Sequence, residues 1–315
     1  MAALKKFFTG KDRFLTKTRI FVFALVLLCS VASLSFASDT PSFAISALLN
    51  WEQGNLSAVT ELNLLSAGIR LPGGRSLAEE ILKDEYIALV RPLILSIQVD
   101  SSSTVDDLVQ RREISLRDLD ELCLTARMIP PSISADMMKI TGRYTIDLSR
   151  LSAMFIRHRQ AGESIRPISL PPAANYTGII IIADMALPIH GRNSSALVSP
   201  CLFPKIWDTD MNLIYERNLT DPALTGSGLK PIVHYAKREN IFRPTPSGLD
   251  ESLIALVGER PLRIFARSVF GAVPTDPVID QADALLILAN ENNRRLLREG
   301  RVVLVVNDLV LGVRY

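Results

Sequence analysis

Histidine and cysteine, from which many catalytic and metal sites are built, are scarce in this 315-residue sequence. It contains three histidines and three cysteines, with no CxxC pair and no cluster of the two residue types. It also lacks the G-x-S-x-G, H-E-x-x-H and glycine-rich phosphate-loop motifs. These absences argue against a structural zinc site and against the commonest hydrolase and nucleotide-binding sites. We therefore expect neither a metal ion nor an organic cofactor.

A net positive charge is also lacking once the first 37 residues are set aside. The whole chain has a formal charge of +2, but residues 1–37 contain six of its basic residues and one of its acids. The remainder has 29 basic and 32 acidic residues, a formal charge of −3. Because no basic stripe is left, we expect no binding to nucleic acid.

Residues 1–37 have the three parts of a secretory signal peptide. A basic segment is followed by the apolar run Ile20–Leu28, and small residues at Ser35 and Ala37 occupy the cleavage positions. The apolar core is shorter than the about 20 residues that a membrane span needs. We predict cleavage after Ala37 and release into the periplasm. An uncleaved N-terminal anchor is the alternative, and only this segment would then contact the membrane.

The cysteines leave two further alternatives open. Lipidation at Cys29 would need a small residue before it, whereas Leu28 stands there, so Cys29 is interpreted as part of the signal core. Cys123 and Cys201 could form one bridge in an oxidising compartment, or could be two separate buried thiols.

The remaining chain is predicted to be an α+β protein of two small mixed modules. A linker at 161–175, rich in proline and glycine, separates an N-terminal module at 38–160 from a C-terminal module at 176–315. Hydrophobic periodicity, capping residues and β-branched runs predict the following elements. They are helix Ser76–Val90 (capped by Ser76 and Glu79, stopped by Pro92), strand Leu93–Val99, helix Ser103–Val109, helix Ser115–Met128, strand Met137–Leu148, strand Tyr176–Ala183, strands Cys201–Trp207 and Leu213–Tyr215, strand Leu262–Val269, helix Asp280–Leu297 and strand Arg301–Val306.

Two polar positions are candidates for chemistry. His190 follows a buried-looking strand and has Asp184 close in sequence, so it could act as a base, although a loop histidine that holds backbone groups is the simpler reading. Asp208 and Asp210 resemble the start of a calcium loop, but the central glycine and the later ligands are missing. We predict a β-turn at 208–212.

Two groups of side chains are candidates for binding a protein partner. Phe203, Trp207 and Tyr215 surround the predicted hairpin and would form either core packing or an aromatic anchor. The basic cluster at the end of the last helix would either complement the helix dipole or face an acidic partner. Its candidate binding residues are Arg294, Arg295 and Arg298.

One family resemblance runs through the chain. The residues that carry it are Tyr176, Thr177, Gly178, Pro200, Lys205, Ile206, Asp208 and Tyr215. With these residues, segment 176–216 resembles bacterial secreted flagellar-associated proteins of the FlgP/FlgT type and their small-lipoprotein relatives. Segments 76–148 and 261–308 are similar to the same family. The sequence departs from the family pattern at 183–186, Ala-Asp-Met-Ala, and in lacking a lipobox.

The resemblance implies a protein without catalytic residues, whose partners are envelope or flagellar proteins. Together with the signal, it predicts a non-enzymatic periplasmic protein that binds other proteins, in flagellar assembly or motor structure. The alternatives are a periplasmic hydrolase that uses His190 and a periplasmic module that binds a small ligand.

Overall fold

A computed structural model describes residues 43–166, 174–223 and 233–315. The predicted signal peptide, Cys29 and residues 167–173 of the predicted linker lie outside these ranges. The described residues belong to one compact unit. Within the described ranges, no helix combines the length and the apolar character needed to cross a membrane.

The first module packs helices against one face of an antiparallel sheet. Its sheet has the strand order β17-β1-β2-β6-β5, in which β17 (Gly312–Arg314) comes from the C-terminal end of the chain. The elements of this half are β1 (Phe43–Asn50), β2 (Asn55–Asn63), α1 (Arg75–Leu95), β3 (Gln98–Asp100), β4 (Ser103–Thr104), α2 (Val105–Gln110), α3 (Leu116–Leu124), β5 (Arg127–Ile133), β6 (Lys139–Asp147) and α4 (Leu148–Phe155).

Helix α1 is longer than its sequence signals predict. Proline lacks an N–H, so Pro92 was expected to end the helix, yet Pro92 lies inside the last turn. Every fourth residue of α1 is buried, and this stripe continues past the proline to Ile94, so packing holds the last turn. The predicted strand Leu93–Val99 is consequently reduced to β3. The predicted Ser76–Glu79 cap is also wrong, because Gly74 occupies the cap position.

The two short helices begin where their capping residues predict. Thr104 and Asp107 form a reciprocal capping box at α2, and Ser115 and Asp118 form another at α3. Helix α3 ends at Leu124 rather than at Met128, because the chain from Arg127 onward pairs with β6. Strand β6 alternates between buried and exposed residues as its sequence pattern predicts.

The second module contains a fully parallel sheet beside a mixed one. The parallel sheet has the order β12-β16-β7-β13, and the mixed sheet has the order β11-β10-β15-β14. The elements are β7 (Ile179–Ala183), β8 (Leu187–Pro188), β9 (Ser195–Ala196), β10 (Ile206–Asp208), β11 (Leu213–Tyr215), β12 (His234–Ala236), α5 (Glu251–Val257), β13 (Leu262–Phe265), β14 (Ser268–Phe270), β15 (Asp276–Ile279), α6 (Gln281–Leu288), α7 (Glu291–Arg298), β16 (Val302–Val306), α8 (Asp308–Leu311) and β17 (Gly312–Arg314).

The two central strands of the parallel sheet explain the apolar runs of the sequence. Every residue of β7 and β16 is buried, as expected for strands covered on both faces. The residues between β10 and β11 form the predicted turn. The Asp208 carboxylate accepts hydrogen bonds there from the N–H groups of Asp210 and Asn212, at 3.0 and 2.7 Å.

Two predicted elements of this module are each divided in the structure. The predicted strand Leu262–Val269 is two strands, because β13 pairs in the parallel sheet and β14 pairs with β15 in the other. The predicted helix Asp280–Leu297 is interrupted before Glu291. Asn290 caps α7 there, and its side chain accepts a hydrogen bond from Asn292 N at 2.8 Å.

The modules contact each other through backbone as well as side chains. Strand β17 pairs antiparallel with β1, so the end of the C-terminal half lies in the N-terminal sheet. Phe203 N donates to Val99 O at 2.8 Å, which joins the chain before β10 to β3. Cys123 and Cys201 are separate buried thiols and form no bridge.

Candidate functional site

Four large apolar side chains are exposed where the strands of the parallel sheet end. Met185 closely follows β7, Phe265 ends β13 and Leu309 closely follows β16, whereas Phe242 follows β12 after the helical turn Arg238–Ile241. Their exposed fractions are 66%, 54%, 61% and 82%. Parallel strands end at one edge, and adjacent strands lie about 4.8 Å apart, so the four strand ends span roughly 15 Å. We name these four residues and Arg238 the carboxyl-edge surface.

Polar contacts tie the strand ends of this surface together. Arg238 Nη1 contacts Asp184 Oδ2 at 2.6 Å, joining the ends of β12 and β7. Asn307 Nδ2 donates to Asp184 O at 3.0 Å, which adds the end of β16. On β13, Arg263 Nη1 donates to Ile241 O at 3.3 Å. These contacts join the backbone segments that carry the apolar side chains.

Arg263 joins the strand that ends at Phe265 to the segment that carries Phe242. Arg263 and Phe265 are two residues apart on β13, so their side chains point to the same face. The Arg263 guanidinium reaches the carbonyl immediately before Phe242, and also Ser247 O at 2.7 Å. The backbone at Phe242 is therefore held against β13.

An open cleft of about 440 Å³ lies beside the apolar residues. Arg238, Glu239, Phe242 and Asp308 line it. The Arg238 guanidinium lies 5.2 Å from the centroid of the Phe242 ring, within the range of a cation–π contact. Exposed apolar area with charged groups at its margin is the usual composition of a protein-binding surface.

The aromatic residues predicted to anchor a partner belong mainly to the core. Phe203 and Tyr215 are 3% and 0% exposed, which corrects the prediction that they contact another protein. Phe203 packs edge-to-face on Phe155 of α4, with ring centroids 6.1 Å apart. The chain before β10 therefore lies where the two modules meet.

Trp207 is half-buried and lies over a buried acid. Its ring packs 5.7 Å from Phe270, and Nε1 donates to Asp276 Oδ2 at 3.5 Å. Asp276 is fully buried, and this desolvation raises the pKa of its carboxyl above the usual value for aspartate. The indole N–H is therefore bonded within the protein interior, and only part of the ring is accessible.

The predicted basic cluster on α7 is largely paired within its own helix. Arg294 is 13% exposed, and its guanidinium donates to Leu288 O and Glu291. Arg295 pairs with Glu299 at 3.2 Å, and Arg298 pairs with Glu291. Arg294 thus stabilises the start of α7. Arg295 and Arg298 line a cleft of about 660 Å³ and remain predicted contacts to an acidic partner.

His190 and Asp184 have separate partners in the structure. The exposed His190 donates its backbone N–H to Val269 O at 2.8 Å, and its ring lies 6.1 Å from that of Phe270. The Asp184 carboxylate pairs with Arg238. Within the described ranges, no group of three or more His, Cys, Asp and Glu residues is arranged to hold a metal ion. The hydrolase reading of His190 remains a prediction.

The sequence patterns did not predict the carboxyl-edge surface, although two of its residues could have been inferred from them. Ligands of open α/β sheets bind outside the carboxyl ends of the strands. Met185 and Leu309 follow the two strands that the apolar runs predict, so they could have been assigned to this edge. Phe242 could not, because β12 has only three residues and carries no strand signal.

The fold is that of a two-module α+β protein with an exposed apolar surface at the edge of its parallel sheet. Two family models match the chain: Treponema pallidum Tp0624, N-terminal domain, at residues 42–154, and Treponema pallidum Tp0624, second domain, at residues 178–308. The chain belongs to the bacterial protein family that these two domains define. No curated protein matches it. Neither family model links the chain to proteins of the FlgP/FlgT type, so that resemblance remains a prediction.

Proposed function

We propose that this chain is a non-enzymatic protein of the cell envelope that binds another protein through the carboxyl-edge surface. The observation that carries the proposal is the exposure of Met185, Phe242, Phe265 and Leu309 at one edge of a single sheet. Burying large apolar side chains stabilises a complex, at about 25 cal/mol per Å² of apolar area. Phenylalanine and arginine are also among the residues that interfaces favour.

The frame beneath these side chains supports the same function. Arg238 is tied to Asp184 and Asp184 to Asn307, so a partner would meet a surface that is already ordered. Ordering before binding lowers the conformational entropy lost in the complex. The envelope location rests on the predicted signal at 1–37, and a flagellar partner rests on the resemblance of segments 76–148, 176–216 and 261–308.

Site-specific photo-crosslinking in the source bacterium tests the proposal. A crosslinking amino acid at Phe265 or Leu309 should capture the same partner. Leu65 is 72% exposed but lies in the first module, so the same probe placed there is the matched control and should not capture it. Capture of that partner with equal yield at Leu65 would contradict the assignment.

Affinity measured on the purified partner completes the test. Phe242→Ser and Leu309→Ser should each weaken binding by about tenfold or more, while Leu65→Ser leaves it unchanged. Unchanged affinity in both edge variants would refute the proposed surface. A deletion strain with normal motility would remove the flagellar version and leave protein binding in the envelope standing.

A further inference from the structure

A small polar pocket lies on the first module, where the β1–β2 turn meets the start of α4. Its volume is about 220 Å³, and its walls include Asn55, Arg127, Thr145, Asp147 and Arg150. Sites for drug-sized ligands usually exceed about 300 Å³, so this pocket suits one small group of a few heavy atoms.

The register of the sheet explains why these side chains converge. Arg127 of β5 pairs with Thr145 of β6, and Asp147 of β6 pairs with Asn55 of β2. Directly paired residues of an antiparallel sheet share a face, and these four lie on the face opposite the buried residues of β6. Arg150 joins them from the first turn of α4.

The pocket walls carry two positive charges, from Arg127 and Arg150, and one negative charge, from Asp147. Among the described residues, neither Arg127 nor Arg150 forms an ion pair with a carboxylate. Arg150 Nη1 makes one long hydrogen bond, 3.4 Å, to Thr125 O. The nearby Asp147 instead caps α4, where its Oδ1 accepts from Ser149 N at 2.8 Å.

We propose that this pocket binds a small oxyanion, the phosphate or carboxylate group of a ligand, between Arg127 and Arg150. A guanidinium group offers two parallel N–H donors that match the oxygens of either group. The Thr145 hydroxyl supplies a further donor. Thr125 and Arg150 also line an adjoining groove of about 450 Å³, whose walls include the acids Asp118 and Glu121, so the rest of a larger ligand there would be neutral or basic. The site is independent of the carboxyl-edge surface.

Calorimetric titration of the full chain with inorganic phosphate, and separately with succinate, tests the proposal at constant ionic strength. We expect saturable binding of at least one probe, with the stronger one identifying the source as phosphate or carboxylate. Arg127→Gln and Arg150→Gln should each weaken it by about tenfold, the loss expected for a charge-assisted hydrogen bond. Arg143→Gln is the matched control, because Arg143 is an exposed arginine of β6 outside the pocket.

The outcomes separate a specific site from general attraction to positive charge. The site is supported if anion binding weakens in Arg127→Gln and Arg150→Gln but changes by less than about twofold in Arg143→Gln. Thermal melting must show that all three variants are folded. Equal weakening in all three variants would show general screening and overturn it. Failure of both probes to saturate the folded wild-type chain would also overturn it.

Discussion

At the scale of single residues, Gly178 occupies a position where the structure leaves no room for a side chain. A Cβ atom placed on Gly178 would lie 2.3 Å from Val257 Cβ and 2.5 Å from Val257 Cα, closer than real contacts allow. Its neighbour Thr177 accepts a hydrogen bond from Arg260 N through Oγ1 at 3.0 Å. The pair therefore holds the start of β7 against the end of α5.

We predict that Gly178→Ala lowers the free energy of unfolding by about 1–3 kcal/mol, because the added methyl group must displace backbone. Gly73→Ala is the control, since a Cβ there has nothing within 4 Å, and it should change stability by less than about 0.5 kcal/mol. Urea denaturation followed by circular dichroism measures both. Equal midpoints for the two variants would show that Val257 moves aside without loss of stability.

At the scale of elements, strand β17 closes one side of the N-terminal sheet. Ala47 and Tyr315 exchange two backbone hydrogen bonds, at 3.3 and 2.9 Å, and Val313 pairs with Leu49 two residues further along. Bonded and non-bonded pairs alternate in an antiparallel ladder. The N–H of Val313 therefore faces β1, whereas that of Arg314 faces away.

This alternation gives a prediction within one short strand. Val313→Pro should lower the free energy of unfolding by about 1–2 kcal/mol, because it removes an N–H that bonds to β1. Arg314→Pro should have a smaller effect, because the N–H it removes has no partner on β1. Thermal melting of the two variants compares them, and an equal or larger loss for Arg314→Pro would contradict the observed register.

Elements that depend on local signals were predictable, and those that depend on packing were not. The starts of the short helices at Thr104 and Ser115 and the apolar runs of β7 and β16 depend on local signals, so the sequence predicts these elements. Helix α1 passes Pro92 because of a buried stripe that forms only against the sheet. The carboxyl-edge surface depends on the order of four strands, which no single segment encodes.

At the scale of the whole molecule, the two modules share a core at Trp51. Trp51 lies in the β1–β2 turn and is 6% exposed, and its ring packs edge-to-face on Tyr235 of β12 at 5.7 Å. The backbone N–H of Trp51 donates to Leu311 O at 2.9 Å. At the edge of this contact, Glu52 pairs with Lys237 at 3.2 Å, and this hydrogen bond raises the pKa of Lys237.

The contact predicts that the modules unfold as one cooperative unit. Trp51 and Trp207 are the only tryptophans, so variants at Trp51 leave Trp207 as a fluorescence reporter of the second module alone. Trp51→Ala should lose about 3–5 kcal/mol of stability, because it leaves a cavity at the junction. Its Trp207 transition in urea should therefore occur at a lower concentration than in Trp51→Phe, which retains a ring against Tyr235. The prediction fails if Trp207 reports the same urea midpoint in both variants while the first module of Trp51→Ala unfolds at a lower concentration. The second module would then unfold independently of the first.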